Sequence, residues 1–272
     1  MSEISYLYGV VPAGTDTSRA PAGIDDKPVE LTSSADGRHA ALVTRVGAAE
    51  YSPEKIEALA GNVDWVRYRA EAHDRVLNWA SDITRVIPLP MWTMFRDANA
   101  VNGMLAERGK EFDETFAKIK GAREYTVRAY VRSPELQSKI SGLSEEFRAL
   151  EAQTKTATPG QKYLLERKLD KERKETARRV MRQVASDLHA ALAASASGSV
   201  REEIAPGITA SEQGQAILNA SYLVSSGNMT EFQKTLTEFV NRYQPSGFTF
   251  AFTGPWPPYH FVASNSGSDA GR

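Results

Sequence analysis

The sequence predicts an α+β protein built from two α/β domains, the second a ferredoxin-like (βαββαβ) sandwich carrying a long αα-hairpin. Three observations carry this expectation. Short stretches rich in β-branched and aromatic residues alternate with amphipathic helical patterns along the chain. From about residue 122 the order becomes strand, helices, strand, strand, helix, strand, as in ferredoxin-like folds. A chain of 272 residues with 41% hydrophobic and 25% charged residues is also long enough for two modest cores. The expected domains are residues 1–121, read as a modified ferredoxin-like arrangement with its hairpin brought forward, and residues 122–262, with the helical hairpin at about 134–196. The Ser- and Gly-containing stretch 263–272 is expected to be a disordered tail.

The elements follow from local chemistry. Tyr6-Leu7-Tyr8-Gly9-Val10-Val11, stopping at Pro12, reads as a strand buried on at least one face. Residues 29–32 and 39–46 form two further strand candidates around Asp36-Gly37, a hairpin signal, and so predict an antiparallel pair beside the first strand. Ser52-Pro53-Glu54 opens a helix. Val63, Val66, Ala70, His73, Val76, Leu77 and Ala80 then recur at three- and four-residue steps, an amphipathic helix of about five turns. In Val86-Ile87-Pro88-Leu89-Pro90-Met91-Trp92-Thr93-Met94-Phe95 the two prolines predict a strand ending at Ile87, a kink and a second extended piece. Asp97 caps a helix with Val101, Met104 and Leu105, and a second helix with Phe112 and Phe116 ends at Gly121.

In the second half, residues 124–131 alternate as a strand and Ser133-Pro134-Glu135 caps and opens a helix running to about Thr156. A helix from about residue 161 to 196 follows. Residues 162–182 hold nine Lys or Arg and four Asp or Glu. Asp170 with Lys174 and Glu175 with Arg179 have the i,i+4 spacing that supports a helix. This basic run reads either as a solvated face or as a dock for an acidic partner. Residues 200–204 and 216–224 predict strands, residues 230–243 a helix and residues 247–253 a last strand.

The composition narrows the function. No apolar run reaches the roughly 18 to 20 residues that span a bilayer, and Met1-Ser2-Glu3-Ile4 lacks signal-peptide character, so a cytoplasmic protein is expected. There is no cysteine, hence no disulfide, thiolate nucleophile or cysteine-bound metal. A formal net charge of −1 argues against a general nucleic-acid binder. The chain lacks a Gly-rich phosphate cradle, a zinc-protease signature and a nucleophile elbow, and its four histidines are scattered. No catalytic residue, cofactor, metal, membrane or small-molecule substrate is therefore expected. His73 lies on an apolar helix face beside Asp74 and reads as a hydrogen-bonded structural histidine rather than a general base.

The candidate contact residues lie mainly near the C-terminus. Gly254-Pro255-Trp256-Pro257-Pro258-Tyr259-His260-Phe261-Val262 packs three prolines and three aromatic residues into nine positions. Proline fixes φ and removes a donor, so this stretch is expected to be an extended arm, neither helix nor central strand. Either it caps its own sheet edge or it presents Trp256, Pro257, Tyr259 and Phe261 to a partner, and the two readings are compatible. Trp92 is a further candidate, read as core, as packing at a domain junction, or as part of an exposed patch.

Tyr6-Leu7-Tyr8-Gly9-Val10-Val11, the proline-broken run from Val86 to Phe95, Pro159-Gly160-Gln161-Lys162-Tyr163-Leu164, Asn219-Ala220-Ser221-Tyr222-Leu223-Val224 and the C-terminal motif occur in the order in which the gas vesicle protein L/F family carries them. The chain resembles that family over nearly its whole length. It departs where many relatives read Arg-Phe-Gly and this chain has Met91-Trp92-Thr93, and in residues 13–27 and the tail. The resemblance implies a non-enzymatic accessory or minor structural protein of gas vesicle assembly, located at the gas vesicle, with the major shell protein and other accessory proteins as partners. It also implies an N-terminal α/β domain and a C-terminal one with a ferredoxin-like core. The alternative reading of the residues themselves is a general adaptor recruited through its proline segment, and a third is an enzyme acting on a small acidic or phosphorylated ligand at the basic hairpin.

Overall fold

The computed structural model describes residues 2–204 and 214–262. The chain divides into two compact units, residues 1–123 together with the segment from Trp256 onward, and residues 124–255. Each unit carries one sheet of a mixed α+β fold.

In the first unit, β1 (Glu3–Pro12), β2 (Glu30–Ser33), β3 (His39–Gly47) and β4 (Ile87–Pro88) lie in the order β2-β3-β1-β4, and β5 (Met94–Phe95) also pairs with β1. All these pairings are antiparallel. The predicted hairpin is present. Asp36 accepts from Ser34 Oγ at 2.6 Å and from the Arg38 amide at 3.1 Å, and Gly37 takes φ +67°, the left-handed region a tight turn demands. Helix α1 (Pro53–Leu59) is capped by Ser52, which accepts from the Lys55 amide, and α2 (Val63–Ile83) by Asn62. Helix α2 buries Ala72, His73, Val76, Leu77 and Ala80 against the sheet. Helices α3 (Ala98–Glu107), capped by Asp97, and α4 (Gly109–Lys118) complete the unit before the chain enters β6 (Ala122–Val131).

Two tyrosines on one face of β1 organise this unit. The Tyr6 hydroxyl is 2.8 Å from His73 Nδ1 and also meets the backbone amide of Trp92, while the imidazole bonds the Leu89 backbone. A neutral imidazole that accepts from Tyr6 and donates to the Leu89 carbonyl satisfies every partner in this line. His73 is thus the structural histidine its sequence position suggests. The Tyr8 hydroxyl accepts from the Ile24 amide at 2.9 Å and donates to Thr44 Oγ1 at 2.8 Å, and Thr44 in turn donates to the Pro28 carbonyl. A Cβ at Gly23 would come within 2.2 Å of the Tyr8 oxygen, so only glycine allows the 13–29 segment to approach so closely.

In the second unit the sheet order is β7-β8-β6-β9, with β7 (Gly198–Arg201), β8 (Gln215–Ser225) and β9 (Phe248–Trp256). Helices α5 (Ser133–Leu143), α6 (Glu145–Thr156), the 36-residue α7 (Pro159–Ala194) and α8 (Met229–Tyr243) accompany it. One core joins Val127, Ala129 and Val131 of β6, Leu136 and Ile140 of α5, Val184, Leu188 and Leu192 of α7, and Phe232 and Phe248.

Several expectations need correction. The helix predicted from residue 133 to 156 breaks at Ser144, whose Oγ accepts from the Phe147 amide and starts a separate helix; Leu143 and Phe147 at four-residue spacing hide the break. Arg132, not Ser133, is the N-cap of α5. Strand β7 spans Gly198–Arg201, displaced toward the chain start from the expected 200–204, because its ladder runs from Gly198 opposite Leu223 to Arg201 opposite Ala220. Glu175 and Arg179 do not form the expected pair: Arg179 reaches across to Glu146 of α6. Finally, the C-terminal motif is not one extended arm. Strand β9 continues through Pro255 to Trp256, which an edge position permits because an edge strand leaves amide sites unused, and Tyr259–Val262 form a helical turn, α9. The tail 263–272 lies outside the described residues.

Burial holds the His73 imidazole below its ordinary value, against the weaker opposing effect of the Asp74 carboxylate. Below about pH 6.5 the unfolded chain therefore binds more protons at this position than the folded one, and stability falls as pH falls through that window. Urea denaturation of the wild-type chain is expected to show a larger drop in midpoint between pH 7.5 and 5.5 than that of His73→Asn; equal drops would remove His73 from the pH response.

Candidate partner-binding surface

The C-terminal motif is held from both ends of its own sequence. At its start, Gly254 has φ +119°, and an added Cβ would lie 2.9 Å from the Glu124 carbonyl, so the chain turns past β6 only with glycine there. The Gly254–Pro255 bond is cis. From Trp256 onward the residues group with the first unit. The expected C-terminal domain, residues 122–262, therefore extends further than the second unit does.

Pro257 and Pro258 are buried, and they lead into the helical turn through bonds from the Tyr259 amide to the Pro257 carbonyl and from the Phe261 amide to the Pro258 carbonyl. Phe261 is buried, with 5% of its surface exposed. Its carbonyl accepts from Lys118 Nζ of α4 at 2.9 Å, and the same ammonium lies 5.9 Å from the ring centroid. The Tyr259 hydroxyl donates to Asp74 Oδ1 of α2 at 2.9 Å, one residue from His73. Two helices thus fix the motif in place.

The five expected contact residues consequently separate. Pro257 and Phe261 serve as buried anchors. Trp256, 41% exposed, and Tyr259, 37% exposed, present ring surface to solvent. Trp92 belongs elsewhere: it stacks on Trp65 with ring centroids 5.2 Å apart and planes at 12°, and meets Tyr6 edge-on at 6.2 Å. It does so at φ +70°, a left-handed conformation that a bulky residue adopts only when its surroundings enforce it.

The Trp92 cluster contains residues that the sequence reading passed over. The Arg69 guanidinium lies 4.2 Å from the Trp65 ring centroid and bonds Asp25 Oδ1 at 2.7 Å, while the Tyr51 hydroxyl donates to Asp25 Oδ2 at 2.6 Å. Burial, and then the Asp25 carboxylate, push the Tyr51 phenol above its ordinary value. Trp65 and Arg69 are four apart on α2, a spacing that could have flagged them. Asp74 and Lys118 gave no local signal, since their partners lie 185 and 143 residues away.

This division makes opposite expectations for neighbouring aromatic residues. Phe261→Ala should destabilise the first unit by about 3 kcal/mol through loss of a buried ring. Trp256→Ala should change stability by less than about 1 kcal/mol. Urea denaturation followed by circular dichroism measures both, and equal losses would contradict the assignment of one ring to the core and the other to the surface.

Comparison with known proteins agrees with the fold. The model of the family described as gas vesicle synthesis protein GvpL/GvpF matches residues 4–263. Gas vesicle protein L of Streptomyces sp. (strain CB03234) is 26% identical over 269 residues, 95% of this chain and 92% of that protein. Gas vesicle protein L2 of Halobacterium salinarum is 27% identical over 275 residues, covering 96% of this chain and 92% of the relative. The crystal structure of the gas vesicle protein GvpF from Anabaena sp. PCC7120 aligns with a TM-score of 0.70 at 17% identity, over 97% of this chain and all of the other. That of GvpF from Microcystis aeruginosa gives 0.66, over 96% and 99%. At such identities the two crystal structures establish the shared fold alone. With a family match that runs from the first strand past the C-terminal helical turn, the chain belongs to the GvpL/GvpF family of gas vesicle synthesis proteins.

Proposed function

We propose that this chain acts in gas vesicle formation as a non-enzymatic binding protein that engages the major shell protein through Trp256 and Tyr259. The observation that carries the reading is two large rings left at the surface on a segment whose flanking Pro257, Pro258 and Phe261 are buried and whose position Lys118 and Asp74 hold. A ring presented from an already ordered segment loses little further entropy on binding. The partner's chemistry follows from the task of the vesicle wall. A wall that excludes water from a gas space needs subunits with one strongly apolar face, and such a face requires cover before assembly. Aromatic residues supply that kind of contact most effectively. Other gas vesicle accessory proteins are the remaining partners of this reading, and the gas vesicle is the place of action.

An adaptor recruited through a free proline segment fits less well, because such a ligand must be accessible to dock in a groove and Pro257 and Pro258 are buried here. We also read both units as variants of one ferredoxin-like plan. The second sheet has the order expected of βαββαβ, and the first has the same order with residues 13–29 in place of the first crossover helix.

The test is capture of purified major shell protein by the immobilised full-length chain. A Trp256→Ala, Tyr259→Ala double variant is expected to retain its fold and to capture at least about tenfold less. Undiminished capture, or a normal vesicle yield when the folded variant complements a deletion strain, would overturn the proposal.

A further inference from the structure

The second unit contains a cleft of about 740 Å³ between α7, the start of α5, where Ser133 and Gln137 line it, and the strands β7 and β8. Ala177, Met181 and Ala185, one stripe of α7, form its apolar floor with Ile217 of β8. Lys174, Arg178 and Arg182 form the adjacent stripe of α7, and Arg201 of β7 adds a fourth cation. Among the described residues lining the cleft there is no carboxylate, no histidine and no aromatic ring.

Three of these cations lie on α7, and what sets them apart there is that they line the cleft: Lys168 and Lys171 are likewise exposed without an ion pair among the described residues, and other basic residues of the helix are engaged elsewhere. Arg179 pairs with Glu146, Lys162 lies 4.0 Å from Glu166, and the Arg173 guanidinium covers the Phe147 ring. Lys174, Arg178, Arg182 and Arg201 are exposed, and none forms an ion pair among the described residues. The i,i+4 spacing expected to pair Asp170 with Lys174 produces no such bridge here. Like charges at i,i+4 repel on a helix, so the row 174, 178 and 182 disfavours the isolated helix. The field also reaches inward: after burial, Arg201 is the second cause that lowers the His189 imidazole from its ordinary value.

We propose that this cleft binds an acidic, amphipathic protein segment, whose apolar residues cover Ala177, Met181, Ala185 and Ile217 while its carboxylates meet Lys174, Arg178, Arg182 and Arg201. The charge pattern selects this occupant. From Lys174 to Arg182 the cations spread over about 12 Å of helix rise, so they do not converge on a single phosphate. A floor without aromatic residues offers no stacking platform for nucleic-acid bases. The apolar stripe from Ala177 to Ala185 is itself about 12 Å long, which matches a helix of two to three turns laid into a groove. This site is separate from the Trp256 surface and does not depend on its role.

The experiment measures fluorescence anisotropy of labelled peptides of about three helical turns with the full-length chain. One peptide carries leucines at i, i+3, i+4 and i+7 flanked by glutamates, and a control replaces each glutamate by lysine. The glutamate peptide is expected to bind, the lysine peptide to bind at least about tenfold more weakly, and binding to weaken as salt is raised. Arg178→Gln with Arg182→Gln, both exposed positions, should retain the fold and cost about tenfold or more in affinity. Met181→Glu should weaken the same peptide, whereas Trp256→Ala with Tyr259→Ala should leave it unchanged. Equal binding of the two peptides, full affinity in the arginine double variant, or displacement of the peptide by equimolar inorganic phosphate or single-stranded RNA would overturn the proposal. Loss of binding in the Trp256, Tyr259 variant would likewise place the peptide elsewhere.

Discussion

The first unit depends on two buried tyrosine hydroxyls. A hydroxyl removed from water without partners costs on the order of 1–3 kcal/mol, so each of these must find donors and acceptors inside the protein. Tyr6 finds them in His73 of α2 and in the backbone of Trp92, and Tyr8 finds them in Ile24 and Thr44. Because the two rings stand two residues apart on β1, 5.1 Å between centroids, one strand fastens both irregular segments of the unit. The proline-broken run from residue 86 to 95 and the loop from 13 to 29 therefore have definite positions although neither contains a long regular element. Trp92 at φ +70° is one consequence, held by the bond to Tyr6 and by its stack on Trp65.

The C-terminal motif uses the same economy in another way. Prolines at an edge strand cost no ladder bonds, so β9 can end in Gly254-Pro255-Trp256 without disturbing its neighbour. The helical turn that follows buries Phe261 and spends the Phe261 carbonyl on Lys118 and the Tyr259 hydroxyl on Asp74. What is left outward is the ring area of Trp256 and Tyr259. A motif that looks uniformly aromatic thus divides into buried anchors, Pro257, Pro258 and Phe261, and rings with part of their surface exposed, Trp256 and Tyr259.

The helical section shows how one run of charge can hold two kinds of residue. Net charge along residues 162–182 does not distinguish Arg179, neutralised by Glu146, from Arg178 and Arg182, which face the cleft. Position around the helix makes that difference: residues 174, 178 and 182 repeat at four and lie beside the apolar stripe 177, 181 and 185. A side paired within the protein and a side lining the cleft are both present, and they occupy different sides of α7.

Local chemistry alone determined most elements. Asp36-Gly37 set a hairpin, Ser52, Asn62 and Asp97 set helix starts, and period-four apolar residues set α2, because each of these signals acts within a few residues. The structural role of His73 was legible for the same reason, from its place on the apolar face of α2. The break at Ser144 was not, since an apolar spacing that continues across a cap masks it. Nor could sequence assign Trp92 to a stack with Trp65, pair Arg179 with Glu146, or divide Phe261 from Trp256. Those outcomes depend on contacts between residues 27 to 185 positions apart, and only the packed sheets and helices bring such partners together. Sequence determined which residues were aromatic, proline-stiffened or charged; tertiary packing decided which of them were buried inside the protein and which kept surface exposed, because burial depends on contacts between distant parts of the chain.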